Sequence, residues 1–147
     1  MIRKDSGSVA TTRRQARIVA LQSLYEADIA GHDPIETLNR NLAEEECDAA
    51  VAAYARHLVE GVVAHRAEID RTLAAAAPAW PLDQMPPIDK NLLRLAIHEL
   101  LFDNKLVPVK AAINEAVEIA KIFGSESSSR FVNGVLGTVV AGQANEA

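Results

Sequence analysis

The chain has 147 residues, a net charge of −5 and about half apolar residues. That is enough for one domain-sized core without disulfides or metals. A single cysteine, Cys47, excludes an internal disulfide framework and fits a reducing compartment. The opening MIRKDSGS has no apolar signal core, and the most apolar stretch, LAAAAPAWPL, is too short and proline-broken to span a bilayer. A soluble cytoplasmic protein without membrane contact is therefore expected.

Charge is unevenly spread. Residues 1–25 carry Arg3, Lys4, Arg13, Arg14 and Arg17 against Asp5 alone, a net +4, while the remainder is −9. A basic end on an acidic body reads as a localised anion-binding site.

Residues 1–10 read as a flexible arm broken by Ser6, Gly7 and Ser8. A first helix is expected over about Thr12–Ile29, capped by Thr11 or Thr12, with Ile18, Leu21, Leu24, Tyr25 and Ile29 on its core face. The segment DPIE starts the next helix, with Asp33 as N-cap, Pro34 at the first helical position and Glu36 placed for a capping box. It should end in EEECD. Val51, Tyr54, Leu58, Val62, His65, Ile69 and Leu73 then recur at helical spacing, predicting one long helix with Gly61 at a close crossing. PAWPLDQMPP reads as a linker or short turns. Another helix follows over about Asp89–Phe102, burying Leu92, Leu95, Ala96 and Leu100. Pro108 opens the next, which has Lys121 in its last turn and Gly124 as a left-handed cap. A serine-capped helix closes the chain. No run alternates with period two, so the expected fold is all-α, a bundle of six to seven helices.

Catalytic constellations are not found in the sequence. His98-Glu99 begins like HExxH, but Phe102 stands where the second histidine is required. His57 and His65 share a helical register, for which ordinary surface or core roles outweigh metal binding. Cys47 follows three glutamates, which disfavour a thiolate. GSESSSR lacks the second glycine and the lysine of a phosphate loop. Neither an enzymatic activity nor a cofactor is expected.

Two stretches carry binding chemistry. Arg13, Arg14 and Arg17 fall within one arc of the first helix, at an end whose free N–H groups already favour anions. From spacing alone this is either a solvated first turn or a clamp for nucleic-acid phosphates. KIFGSESSSRF gathers Lys121, Phe123, Ser127, Arg130 and Phe131 around a helix end and the next helix start. Its aromatics suit stacking on unpaired bases, or simply the core.

RRQARIVALQSLYE, IDKNLLRLAIHELL and AAINEAVEIAKIFGSESSSRFVNGVL together resemble the NusB transcription antitermination family over most of the chain. The resemblance implies two small helical subdomains in one NusB-like domain over 11–147. It implies a non-enzymatic factor for the boxA RNA of ribosomal RNA transcripts. Its partner would be NusE, a ribosomal protein, and the pair would join RNA polymerase and other Nus factors to suppress premature termination. A monomer and a homodimer are both compatible with it.

By position, the resemblance assigns Arg13, Arg14 and Arg17 to RNA, together with Lys121, Phe123, Ser127, Arg130 and Phe131. Tyr25 and Asp89 fall to the NusE-facing surface. Asn133 is read as a local hydrogen-bonding residue and Gly134 as a close helix approach. Ser127 stands where an acidic residue is common, and Gly137 where an aspartate often follows.

Overall fold

The computed structural model describes residues 8–146 as seven α-helices and one 3₁₀ turn, with no strand among them. The chain divides into two units, residues 1–64 and 65–147. No described helix is long and apolar enough to cross a membrane.

In the first unit, α1 spans Val9–Ala30, α2 Pro34–Glu44 and α3 Ala49–Ala64, and each packs on the other two. Residues 1–7 of the expected arm lie outside the described residues. Ser8 is the N-cap, its hydroxyl accepting from the Thr11 N–H, so Val9 and Ala10 are already helical and neither Thr11 nor Thr12 caps. Gly31 ends α1 at φ 71°, the left-handed region where a glycine costs least. The buried side of α1 is Ala16, Ala20, Leu21, Leu24 and Ala27, while Ile29 is 61% exposed and Tyr25 lies at the surface. The expected stripe is thus rotated towards alanines, because α1 serves two neighbours and small side chains let both approach. Asp33 caps α2 through the Glu36 N–H with Pro34 behind it, as expected, but the Glu36 side chain does not return the bond that would complete a capping box. Leu38, Val51, Ala55, Leu58, Val59 and Val62 complete this core.

The second unit holds α4 (Arg66–Ala76), a 3₁₀ turn at Leu82–Gln84, α5 (Pro87–Phe102), α6 (Val109–Phe123) and α7 (Ser128–Glu146). The single helix expected across residues 51–73 is therefore two. His65 leaves helical geometry at φ −113° and ψ 21°, and its ring stacks on Phe102 at a centroid distance of 3.8 Å. A one-residue break keeps the apolar repeat in phase, which is why periodicity did not reveal it.

Helix α5 is the axis of this unit. Ten consecutive residues, Asn91 to Leu100, are buried, and α4, α6 and α7 pack on the helix. Its buried Arg94 is matched by polar partners. The Arg94 guanidinium donates to both Asp70 carboxylate oxygens, at 2.9 and 3.2 Å, and to Asn91 Oδ1. Burying such a charge is tolerable only with a partner of this kind.

The α6–α7 corner corrects a second expectation. Gly124 has extended backbone, φ −89° and ψ −175°, and is not a left-handed cap. It is glycine because a Cβ there would lie 2.4 Å from Ser128 Cβ and 2.8 Å from the Ala120 carbonyl oxygen. The reverse holds for Gly134, where a Cβ would meet no atom within 4 Å, so close helix approach does not explain it.

Candidate nucleic-acid interface

The first unit carries Arg13, Arg14 and Arg17 on α1, just beyond a first turn that contains no acidic residue. Arg13 and Arg17 both stand over the Tyr54 ring of α3, with guanidinium carbons 5.1 and 5.8 Å from its centroid. The ring attracts both cations, which holds them side by side despite their repulsion. Their exposures differ. Arg13 and Arg14 are half-buried, whereas Arg17 is only 6% exposed. Arg17 is thus a packed residue that fixes Tyr54, and Arg13 and Arg14 are the members of the triplet with more surface. His57 stacks on the same Tyr54 ring, at 5.8 Å.

In the second unit the sequence-derived residues gather around the start of α7. Ser127 and Arg130 are exposed and line a cleft of about 370 Å³ with Ser125 and Glu126. Glu126 places one carboxylate at this cleft. Lys121 is exposed but pairs with Glu118 at 2.9 Å, so its charge is partly neutralised. Phe123 is half-buried at the last position of α6. Phe131 is half-buried with its ring 5.0 Å from Trp80, tilted by 57°.

Ser128, buried beneath this cleft, was not singled out from sequence. Its hydroxyl donates to Asp89 Oδ1 at 2.7 Å and accepts from the Ser125 N–H at 2.8 Å. Asp89 is 3% exposed, so it faces the interior and ties the starts of α5 and α7 together. That corrects its assignment to a partner-facing surface. Burial raises its pKa, and the Ser128 hydrogen bond partly opposes the shift. Burial and then the Glu45 and Asp48 charges likewise raise the Cys47 thiol, in line with the inert thiol expected from its acidic neighbours. Asn133 and Gly134 are exposed on α7.

Sequence reasoning also missed Trp80. The indole N–H donates to the Gln84 carbonyl at 3.0 Å, and the side chain remains 37% exposed. With Gln84, Arg130, Phe131, Gly134 and Thr138 it lines a groove of about 590 Å³. A lone tryptophan between two prolines was the available signal.

The NusB family profile matches residues 14–141. The chain belongs to the NusB family. A NusB transcription antitermination protein of Chloroflexus aggregans is 52% identical over 133 residues, covering 90% of this chain and 89% of that one. The structure of T. maritima NusB superposes with a TM-score of 0.81 at 33% identity, covering 88% of this chain and 90% of that one. A crystal structure of the antitermination factors NusB and NusE in complex with double-stranded RNA superposes at 0.82. It is 29% identical and covers 89% of this chain and 97% of its own. The all-α NusB fold expected from the motifs is the fold observed.

Proposed function

We propose that this NusB-family protein is an antitermination factor that binds the boxA element of nascent ribosomal RNA together with NusE, and through RNA polymerase and other Nus factors suppresses premature termination. The carrying observation is the start of α1. A chain of net charge −5 places three arginines within five residues of α1, with Tyr54 holding two of them in place. Phosphate there relieves the mutual repulsion of the cations. The likeness to a NusB solved with NusE and RNA supports the same reading. Arg13 and Arg14 contact phosphate, and Arg17 positions Tyr54. Ser127, Arg130, Phe131 and Phe123, with Lys121 beside them, supply a second RNA-binding region at the α6–α7 corner. Tyr25 offers an exposed aromatic to NusE, while Asp89 acts by holding that corner. The protein works by binding and performs no covalent chemistry.

The test is a titration of the protein, alone and with NusE, against boxA RNA and a scrambled control. Affinity should favour boxA, rise with NusE, and fall with salt at a log–log slope of about −0.7 for each phosphate engaged. Equal affinity for wild type and an Arg13→Ala/Arg14→Ala variant would refute the clamp.

A further inference from the structure

The geometry points to the Trp80–Phe131 groove as a subsite for one unpaired RNA base, with the adjoining phosphate on Arg130. This rests on the RNA-binding reading above and adds residues that the family motifs did not supply.

The groove, about 590 Å³, falls within the range of about 300–1,000 Å³ usual for small-ligand sites. Its two rings are rigidly placed. Trp80 is held by its bond to the Gln84 carbonyl and by Phe131, so the indole N–H is already used and its π surface is what remains for a ligand. Stacking on such a surface is the sequence-tolerant way proteins hold single-stranded bases.

Charge selects the occupant. None of the groove's lining residues is acidic, and its one cation, exposed Arg130, makes no hydrogen bond or ion pair among the described residues. An apolar side chain from a protein partner would fill the groove but leave that guanidinium unmatched. A nucleotide matches both, base to the rings and phosphate to the arginine. The Gln84 amide and the Thr138 hydroxyl, which donates to the Gly134 carbonyl at 3.1 Å, stand by to meet a base edge.

Arg130 also lines the Ser125–Ser127 cleft. A strand whose phosphate sits on Arg130 therefore passes from that cleft directly to the groove. Gly134 keeps it open, since any side chain there would enter unoccupied space.

Trp80 is the only tryptophan, so its emission reports this groove alone. The probe is a boxA RNA oligonucleotide and a set of the same oligonucleotide with a single abasic site at each position in turn. Intact RNA should quench Trp80, and one abasic position should abolish the quenching and weaken binding about 5- to 150-fold, the worth of one stacked base. Gly134→Leu should weaken the intact RNA similarly and no longer distinguish that abasic position, with its melting temperature retained. If that variant fails to fold, the abasic series on wild type decides alone.

Unchanged emission while RNA binds in an Arg13- and Arg14-dependent manner overturns the subsite and leaves the RNA-binding reading standing. Quenching by NusE without RNA, and none by RNA, gives the groove to a protein and also overturns it. If wild type binds no RNA, the RNA-binding reading fails, and the subsite with it.

Discussion

Gly124→Ala is expected to destabilise the second unit through a collision rather than through backbone strain. Its backbone is extended, so alanine has no conformational objection. The new methyl would lie 2.4 Å from Ser128 Cβ and 2.5 Å from Ser128 Oγ, so the start of α7 must move by about 1 Å to restore ordinary contact. That displacement stretches the 2.7 Å bond to the buried Asp89 carboxyl and the 2.8 Å bond from the Ser125 N–H. Overpacking of this kind costs about 1–3 kcal/mol. A weakened hydrogen bond to a buried carboxyl adds about 1.5–3 kcal/mol. The lower backbone entropy of unfolded alanine returns only about 0.4–1 kcal/mol. The collision wins, with a net loss of about 3 kcal/mol after partial relaxation. For a chain of this size that is a fall in Tm of about 6–12 °C. Circular dichroism at 222 nm during heating and urea titration measures both quantities. Gly134→Ala is the internal control, because its methyl meets nothing and it should stabilise α7 by about 0.5–1 kcal/mol. A Gly124→Ala loss below about 0.5 kcal/mol, or equal losses at both glycines, would refute the reasoning.

Arg17→Ala should lower stability by about 1–2 kcal/mol, since a nearly buried guanidinium over Tyr54 is lost, whereas Arg14→Ala should stay within about 0.5 kcal/mol. Paired urea titrations with RNA binding on the same samples separate the two roles. Asp70→Ala removes both carboxylate bonds of buried Arg94 and should cost about 2–4 kcal/mol, somewhat less than for a fully buried pair because Asp70 is partly solvated. Asp89 has a raised folded pKa, so its favourable contribution is complete below the ordinary value of 3.8 and is lost as pH rises through the folded value. Asp89→Asn keeps an acceptor for Ser128, and its Tm relative to wild type should therefore climb from pH 3.8 upward. A flat difference across that window would remove the burial argument. Cys47 should react with iodoacetamide more slowly at neutral pH than a free cysteine, its rate still climbing beyond about pH 9, where that of a free cysteine levels off.

Much of the fold was legible in the sequence because it depends on local chemistry. The Asp33–Pro34 start, the α2 end in the glutamates and the apolar positions of α5 are short-range signals, and each stands where expected. What escaped was set by neighbours distant in sequence. Phe102 captures His65 and breaks a helix whose pattern runs on unbroken. Ser128 explains Gly124, and Tyr54 draws Arg17 out of solvent. The candidate site divides in the same way. Arginines and serines announce themselves by type and spacing, but whether a residue such as Asp89 lies at the surface or beneath it is a tertiary fact.

The burial of ten successive residues in α5 also sets a clock for amide exchange. Helix hydrogen bonds shut from water on every side open only when neighbouring elements are stripped away, so these protons trade with solvent at the rate of large-scale opening. The exposed positions of α7, including Gly134, Gly137 and Gly142, can exchange through local fraying. The buried run of α5 thus supplies an internal gauge of the unit's stability, against which looser motions of the binding surface can be timed.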